Sequence, residues 1–330
     1  MSRIQMDFET ACAAELKYVG AYKYSRHATF RVTTLRYRLT EGGEIFRWIG
    51  FYDAELNPEG TELVPDNLVE AIQRGDFIHA WNASFERYCL QWMADRDPRI
   101  LNIPYSQYRC TMQRAAIVGL PLGLAVAGDA VRADVLKDGV GKQVMMQTAK
   151  PRNGAPLPKS QSVRTPKDGD PTLTWYSRAD SPEKFVILDD YCGVDVESEG
   201  QIEARLPEMR RGELALAAVD AEVNHRGLPI DRASVEQALL LIDFVKADGD
   251  QRLSDLTGGS VEKASQLPKL KAWLAERGCE MESVTKASIP TKLEDPDLSD
   301  EVRAVLNLRL EGSAASLSKL QTMLHLCCDD

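Results

Sequence analysis

No stretch of these 330 residues reaches the roughly 18 consecutive apolar residues that a membrane span needs. No basic-then-apolar leader opens the chain, so nothing directs export and a cytoplasmic location is expected. Cysteines at zinc-binding spacing are lacking as well. Cys12, Cys89, Cys110, Cys192, Cys279, Cys327 and Cys328 are scattered and odd in number, and the last two adjoin. Free thiols in a reducing compartment account for them more simply than a disulfide framework or a zinc knuckle. An excess of positive charge is also missing. The 40 Lys and Arg against 50 Asp and Glu leave a net charge of −10, which argues against indiscriminate binding to nucleic acid. It leaves room for a nuclease, whose site is itself acidic and whose basic contacts are local. Internal repeats and low-complexity tracts are absent too. What is present, 44% hydrophobic and 27% charged residues, is the composition of a soluble globular protein long enough for two domains.

The most informative stretch is Arg3-Ile4-Gln5-Met6-Asp7-Phe8-Glu9-Thr10. Its strict alternation predicts a strand with one buried face, formed by Ile4, Met6 and Phe8. Asp7 and Glu9 then point the same way, with α-carbons about 7 Å apart. Two carboxylates on one face repel unless a cation sits between them, and a divalent ion with oxygen ligands is the natural occupant. The plainer alternative is an edge strand with two solvated acids.

Further along, residues 28–40 and 44–51 read as strands joined by a turn at Glu41-Gly42-Gly43, so three antiparallel strands begin the fold. Residues 67–74 read as a short helix, 77–81 as a brief strand running into a helix at 82–93, and 109–118 as a strand-helix corner. This order predicts an α/β domain, a mixed sheet flanked by helices. From Lys137 to Lys184 the pattern dissolves, with nine Lys/Arg, five Asp/Glu and six prolines. A solvated insertion or a basic flap over a nucleic-acid strand would each have that composition. Helical periodicity returns over 182–206, started by Ser181-Pro182-Glu183 and broken by Pro207. Tyr191 and Asp195 share one face of that helix at i and i+4. Residues 208–330 read as almost all helix: 213–226, a long helix capped by Asp231 or Ser234 and running through Leu253, 268–277, and a final one over about 299–326. These breaks place the domains at 1–206 and 207–330.

Three carboxylate-bearing segments therefore stand out: Asp7 with Glu9 on a strand, Glu86 behind Asn82 at a strand-helix junction, and Asp195 with Tyr191 on a late helix. Phosphodiester hydrolysis explains such a set. It needs a nucleophilic water and a stabilised leaving oxygen, and two metal ions about 4 Å apart supply both. Holding two cations takes about four carboxylates, and a tyrosine hydroxyl can orient the attacking water.

These segments resemble the three exonuclease motifs in the proofreading domain of family A DNA polymerases, the DEDDy class of 3′→5′ exonucleases. Asp7-Phe8-Glu9 matches Asp-x-Glu. Asn82-Ala83-Ser84-Phe85-Glu86 resembles Asn-x-x-x-Phe-Asp, with one residue fewer between Asn and Phe and Glu in place of the last Asp. Tyr191-Cys192-Gly193-Val194-Asp195 matches Tyr-x-x-x-Asp. The resemblance implies a ribonuclease H-like exonuclease fold, a mixed five-stranded sheet flanked by helices, followed by an all-helical thumb-like domain. It implies two divalent cations, Mg2+ or Mn2+. Asp7 would bridge them, Glu9 and Asp195 would hold the first, and Glu86 would serve the second in place of the usual Asp. Tyr191 would orient water, while Asn82 and Phe85 would contact the terminal nucleotide of a single-stranded DNA 3′ end.

The resemblance continues through Asp220 to Asp231, which is similar to the entry into the polymerase thumb, and through Leu308 to Ser313 and Ser318 to Thr322, which are similar to late thumb helices. On that basis Arg309, Ser313, Ser316, Lys319 and Thr322 would touch the phosphates of primer-template DNA, contacts that fix position and not sequence. The palm and fingers motifs of nucleotidyl transfer do not occur in these 330 residues. No DNA synthesis is expected from them. Either the chain is a truncated polymerase, or a separate chain carries the palm and fingers. The flavour is bacteriophage-like, which would place the protein in the host cytoplasm. Two other readings stand beside this one: a non-catalytic accessory subunit that binds primer-template DNA and a separate polymerase chain, and a trimming ribonuclease of the same superfamily.

Overall fold

The computed structural model describes residues 3–54, 56–100, 103–134, 139–158, 161–311 and 318–328. Its contacts divide the chain into two units, Met1–Leu228 and Pro229–Asp330. The first unit is built on a five-stranded sheet: β1 (Arg3–Ala11), β2 (Arg31–Arg38), β3 (Phe46–Trp48), β4 (Phe77–Ala80) and β5 (Tyr108–Cys110), in the spatial order β3-β2-β1-β4-β5. β2 runs antiparallel to β1 and to β3, whereas β4 runs parallel to β1 and β5 parallel to β4. A mixed sheet of this kind with helices on its faces is consistent with a ribonuclease H-like α/β fold.

β1 is the central strand. Ile4, Met6 and Phe8 enter the main core with Leu35, Tyr37, Ile78, Leu90 and Met93, under helices α2 (Asp66–Gln73) and α3 (Ala83–Ala94). Each such side chain contributes about 2 kcal/mol by leaving water. The alternation of β1 predicts one buried face, and the structure corrects this: the polar face is covered as well. Helix α7 (Pro182–Ala204) packs across β1 and β2, and Gln5 is fully buried beneath it. Polar residues are tolerated there because β2 and the helix together supply partners. Arg38 Nε donates to Gln5 Oε1 at 2.7 Å, and its Nη1 donates to Glu197 Oε2 at 2.8 Å. Gly200 permits this approach, since a Cβ at that position would fall on the Arg38 guanidinium.

Several elements escape the sequence reading. Helix α1 (Leu16–Ser25) follows β1, and α5 (Leu124–Val131) and α6 (Gly139–Thr148) precede α7. α4 (Thr111–Ile117), by contrast, continues directly from β5 as the corner expected over 109–118. Among the described residues of 149–181 there is no helix or named strand, yet the segment is stapled down at several points. Cys12 N donates to Ala149 O, Glu15 N to Ser162 O, and Arg164 N to Ala13 O. Most of the segment's cations meet local acids: Lys150 and Arg164 with Glu15, Arg152 with Asp180, and Arg178 with buried Asp189. Helix α8 (Arg211–Arg226) also belongs to the first unit. Leu214 and Ala218 face Tyr105 and Tyr108 across a small cavity, and the His225 ring lies 5.7 and 5.8 Å from those of Tyr22 and Tyr88.

The second unit is helical: α9 (Arg232–Leu256), α10 (Leu267–Ala275), α11 (Ser288–Leu293), α12 (Asp300–Glu311) and α13 (Ser318–Leu326). Asp231 caps α9, its Oδ1 accepting from Ser234 N at 3.0 Å, a bond worth about 1 kcal/mol. Leu253, Leu270, Trp273, Leu274, Val302 and Leu306 form its core. The final helix expected over 299–326 is described as α12 and α13; residues 312–317 lie outside the described residues. Among the described residues no helix is long and apolar enough to cross a membrane, and none of the seven cysteines is in a disulfide.

Candidate active site

β1 outruns its parallel neighbour. Its pairing with β4 ends at Gln5–His79, while its antiparallel pairing with β2 continues past Asp7–Arg36 and Glu9–Thr34. Beyond the end of β4 the chain turns through Trp81 and Asn82 into α3. The carboxyl half of β1 thus runs on beside the turn into α3, with an antiparallel partner on one side only. The register shifts just after Glu9, an irregularity of the kind that re-aims side chains beside active sites.

Asp7 and Glu9 come from this half of β1 and Asp195 from α7. One carboxylate oxygen from each lies within 4.8 Å of the other two. Asp195 and Glu9 are 6% and 9% exposed, and Asp7 is half-buried. Cys192, on α7, presses its thiol on the same strand, with Sγ 3.1 Å from Asp7 O and 3.4 Å from Asp7 Oδ2. Burial first, and then Asp7 and Glu9, push that thiol well above the ordinary range, which keeps it neutral. Tyr191 is buried one turn before Asp195 on the same helix face.

Glu86 sits in the first turn of α3 and is only 4% exposed. It is not in the group of three that meets within 4.8 Å. Burial, and next the charge of Asp7, hold its carboxyl well above the usual range. Its Oε2 is buried with no hydrogen-bond partner among the described residues. An orphaned buried carboxylate oxygen beside three converging carboxylates is a donor set that fits divalent cations, which take oxygen ligands and offset this repulsion. Asp7, Glu9, Asp195 and Glu86 are the residues that could hold them.

The remaining expected contacts are spread more widely. Asn82 is exposed at the N-cap position of α3, and its side chain makes no cap hydrogen bond. Phe85 packs against the main core, its ring 6.2 Å from that of Tyr24. In the second unit Arg309 lines a cavity of about 720 Å³ on α12, while Lys319 and Thr322 are exposed one turn apart on α13. Ser313 and Ser316 lie outside the described residues.

A second buried polar cluster is not anticipated by the sequence reading. Glu203, on α7, accepts from His79 Nδ1 at 2.5 Å, from Arg114 Nη1 at 2.8 Å and from Arg3 Nη2 at 2.7 Å. Burial raises its pKa, but the bond and charge of His79, followed by Arg3 and Arg114, outweigh it and hold Glu203 below the ordinary value. Glu199, one turn earlier, accepts from Thr111 Oγ1 at 2.6 Å. Burial, and then the nearby Glu203, push Glu199 up to about 8. Together with Asp189, which takes two bonds from Arg178, these acids fix α7 against its surroundings.

No family model matches the chain. The chain is 28% identical over 332 aligned residues to a protein named "DNA polymerase" from Bacillus phage SP02. The match covers 100% of this chain and 47% of that protein, so the chain spans about half the length of the curated relative it matches.

Proposed function

We propose that the first unit is a metal-dependent 3′→5′ exonuclease that hydrolyses DNA 3′ ends to nucleoside monophosphates, the proofreading part of a phage-type DNA polymerase. The observation that carries this reading is the convergence of Asp7, Glu9 and Asp195 within 4.8 Å, from one strand and one helix, with Glu86 close enough for the charge of Asp7 to raise its pKa. Similarity to a phage DNA polymerase along the whole chain supports the same choice of substrate. When bound, Mg2+ or Mn2+ would supply an activated water and charge stabilisation for the leaving oxygen. Asp7, Glu9 and Asp195 would hold one cation, and Glu86 a second. Tyr191, one turn before Asp195, would orient the attacking water, and Asn82, exposed at the entrance to α3, would contact the terminal nucleotide. In the second unit Lys319 and Thr322, with Arg309, would bind primer-template phosphates.

A second reading is favoured by one observation: Glu86, longer than the Asp of the family pattern, lies outside the group of three oxygens. In that reading the chain is a catalytically weak accessory subunit that holds primer-template DNA for a polymerase carried on another chain. Incubation of 5′-labelled single-stranded DNA with the protein and Mg2+ or Mn2+, against EDTA and the Asp7→Ala protein, separates the two. A ladder shortening from the 3′ end, lost with EDTA and reduced at least about a thousandfold in Asp7→Ala, is expected. A folded protein that binds primer-template yet leaves the strand intact with either metal would sink the nuclease reading. An RNA strand of equal length, run in parallel, tests the preference for DNA.

A further inference from the structure

We propose that Gly141 is a positioning residue for Tyr191, and that α6 is the shelf against which the tyrosine is set. The inference rests on the reading of Tyr191 as the group that orients water. Gly141 is buried in the first turn of α6. A Cβ at that position would lie 3.1 Å from Tyr191 Cβ and 3.0 Å from its Cγ, with Cδ2 closer still. The crowding involves the tyrosine's own Cβ as well as its ring. A change of side-chain rotamer moves the ring and leaves Cβ where it is, so the two helices themselves must part.

They are not free to do so. Val144 of α6 packs with Phe185 and Leu188 of α7, and Met145, Ile187 and Tyr176 close over them. Lys184 Nζ donates to Gln147 Oε1 at 2.7 Å, a bridge between the same two helices. At its far end α6 is tied to the sheet, where Ala149 O accepts from Cys12 N. The pressure of an added methyl therefore falls on Tyr191, and through it on the helix turn that carries Asp195.

Helix propensity points the other way. Glycine is among the poorest residues for a helix interior and alanine the best. A substitution that favours α6 locally while harming catalysis separates positioning from folding.

The test compares Gly141→Ala with the unaltered chain, in the Tyr191 and the Tyr191→Ala backgrounds. In the Tyr191 background we expect kcat on single-stranded DNA to fall about ten- to hundredfold, the scale of a misplaced catalytic group. KM should stay within about twofold, and the thermal unfolding midpoint should fall by no more than a few degrees, because the gain in helix propensity offsets part of the crowding. In Tyr191→Ala the closer crowding with the ring is gone and only the 3.1 Å approach to Cβ remains, so Gly141→Ala should cost clearly less than in the Tyr191 background. Equal loss in both backgrounds, or no loss in the first, overturns the proposal. A readout free of activity accompanies this: 19F NMR of protein labelled with 3-fluorotyrosine, the Tyr191 signal being identified by its loss in Tyr191→Phe. Gly141→Ala should shift that signal, and an unmoved signal defeats the proposal. A shifted signal in a protein that never cleaves DNA upholds the positioning and removes the exonuclease reading, so the two failures are distinguishable.

Discussion

Glu203 and Glu86 are almost equally buried, at 3% and 4% exposure, and their surroundings treat them in opposite ways. Glu203 receives hydrogen bonds from His79, Arg3 and Arg114 and is held ionised. Glu86 keeps an oxygen with no hydrogen-bond partner among the described residues and is pushed toward its neutral form by burial and by Asp7. An acid given its cations by the protein is a structural joint. An acid buried among other acids costs stability, a cost that either a proton or a cation relieves. The same contrast runs along α7, whose Asp189 and Glu203 are joined to arginines while Asp195 converges on Asp7 and Glu9.

The strongest way to break the comparison is Glu203→Ala. It takes from Arg114, which is 5% exposed, its buried carboxylate partner, and it should cost about 3–5 kcal/mol in urea unfolding measured without metal. A cost below about 1 kcal/mol would mean that the cluster is no joint. Glu199→Gln sharpens the comparison through pH. The folded pKa of Glu199, about 8, lies above its ordinary 4.5, so the unfolded chain releases this proton first as pH rises. Its contribution to stability is complete below about 4.5 and is lost as pH climbs toward 8. Glu199→Gln should remove on the order of 3 kcal/mol of that decline, read from unfolding curves at pH 5 and pH 8. An unchanged slope would show that Glu199 is charged throughout. Smallest is the effect expected of Glu86→Gln on the metal-free protein. Glutamine has the shape of the protonated acid, so unfolding free energy at neutral pH should change by less than about 1 kcal/mol. A loss as large as that of Glu203→Ala would put Glu86 among the structural acids.

The elements that carry the candidate site are more legible in the sequence than the contacts that hold those elements in place. The alternation around Asp7 and Glu9, the i to i+4 pairing of Tyr191 with Asp195, and the strand-to-helix turn at Asn82 are local patterns, and each is found where the pattern puts it. The partners of Glu203 are not local. Residues 3, 79 and 114 come together only after the sheet has formed, and the charged face of α7 reads as a solvated one until then. Helix α1 is hidden because Gly20 kinks it, at φ 76°, and disrupts its period. The stapling of residues 149–181 depends on Glu15 and Asp189, both distant in sequence or lying in another element. Gly141 could have been noticed as a glycine inside a helical run beside an otherwise irregular segment, but its contact with Tyr191 has no signature in spacing.

The most direct test of the contrast is titration calorimetry of Mn2+ into the metal-free protein and into its Asp7→Ala form. The account predicts saturable binding by the unaltered protein that is lost, or weakened at least about tenfold, in Asp7→Ala, with both proteins folded to the same degree. Equal binding by the two would contradict it, since the buried acids at the end of β1 would then have no cation to receive.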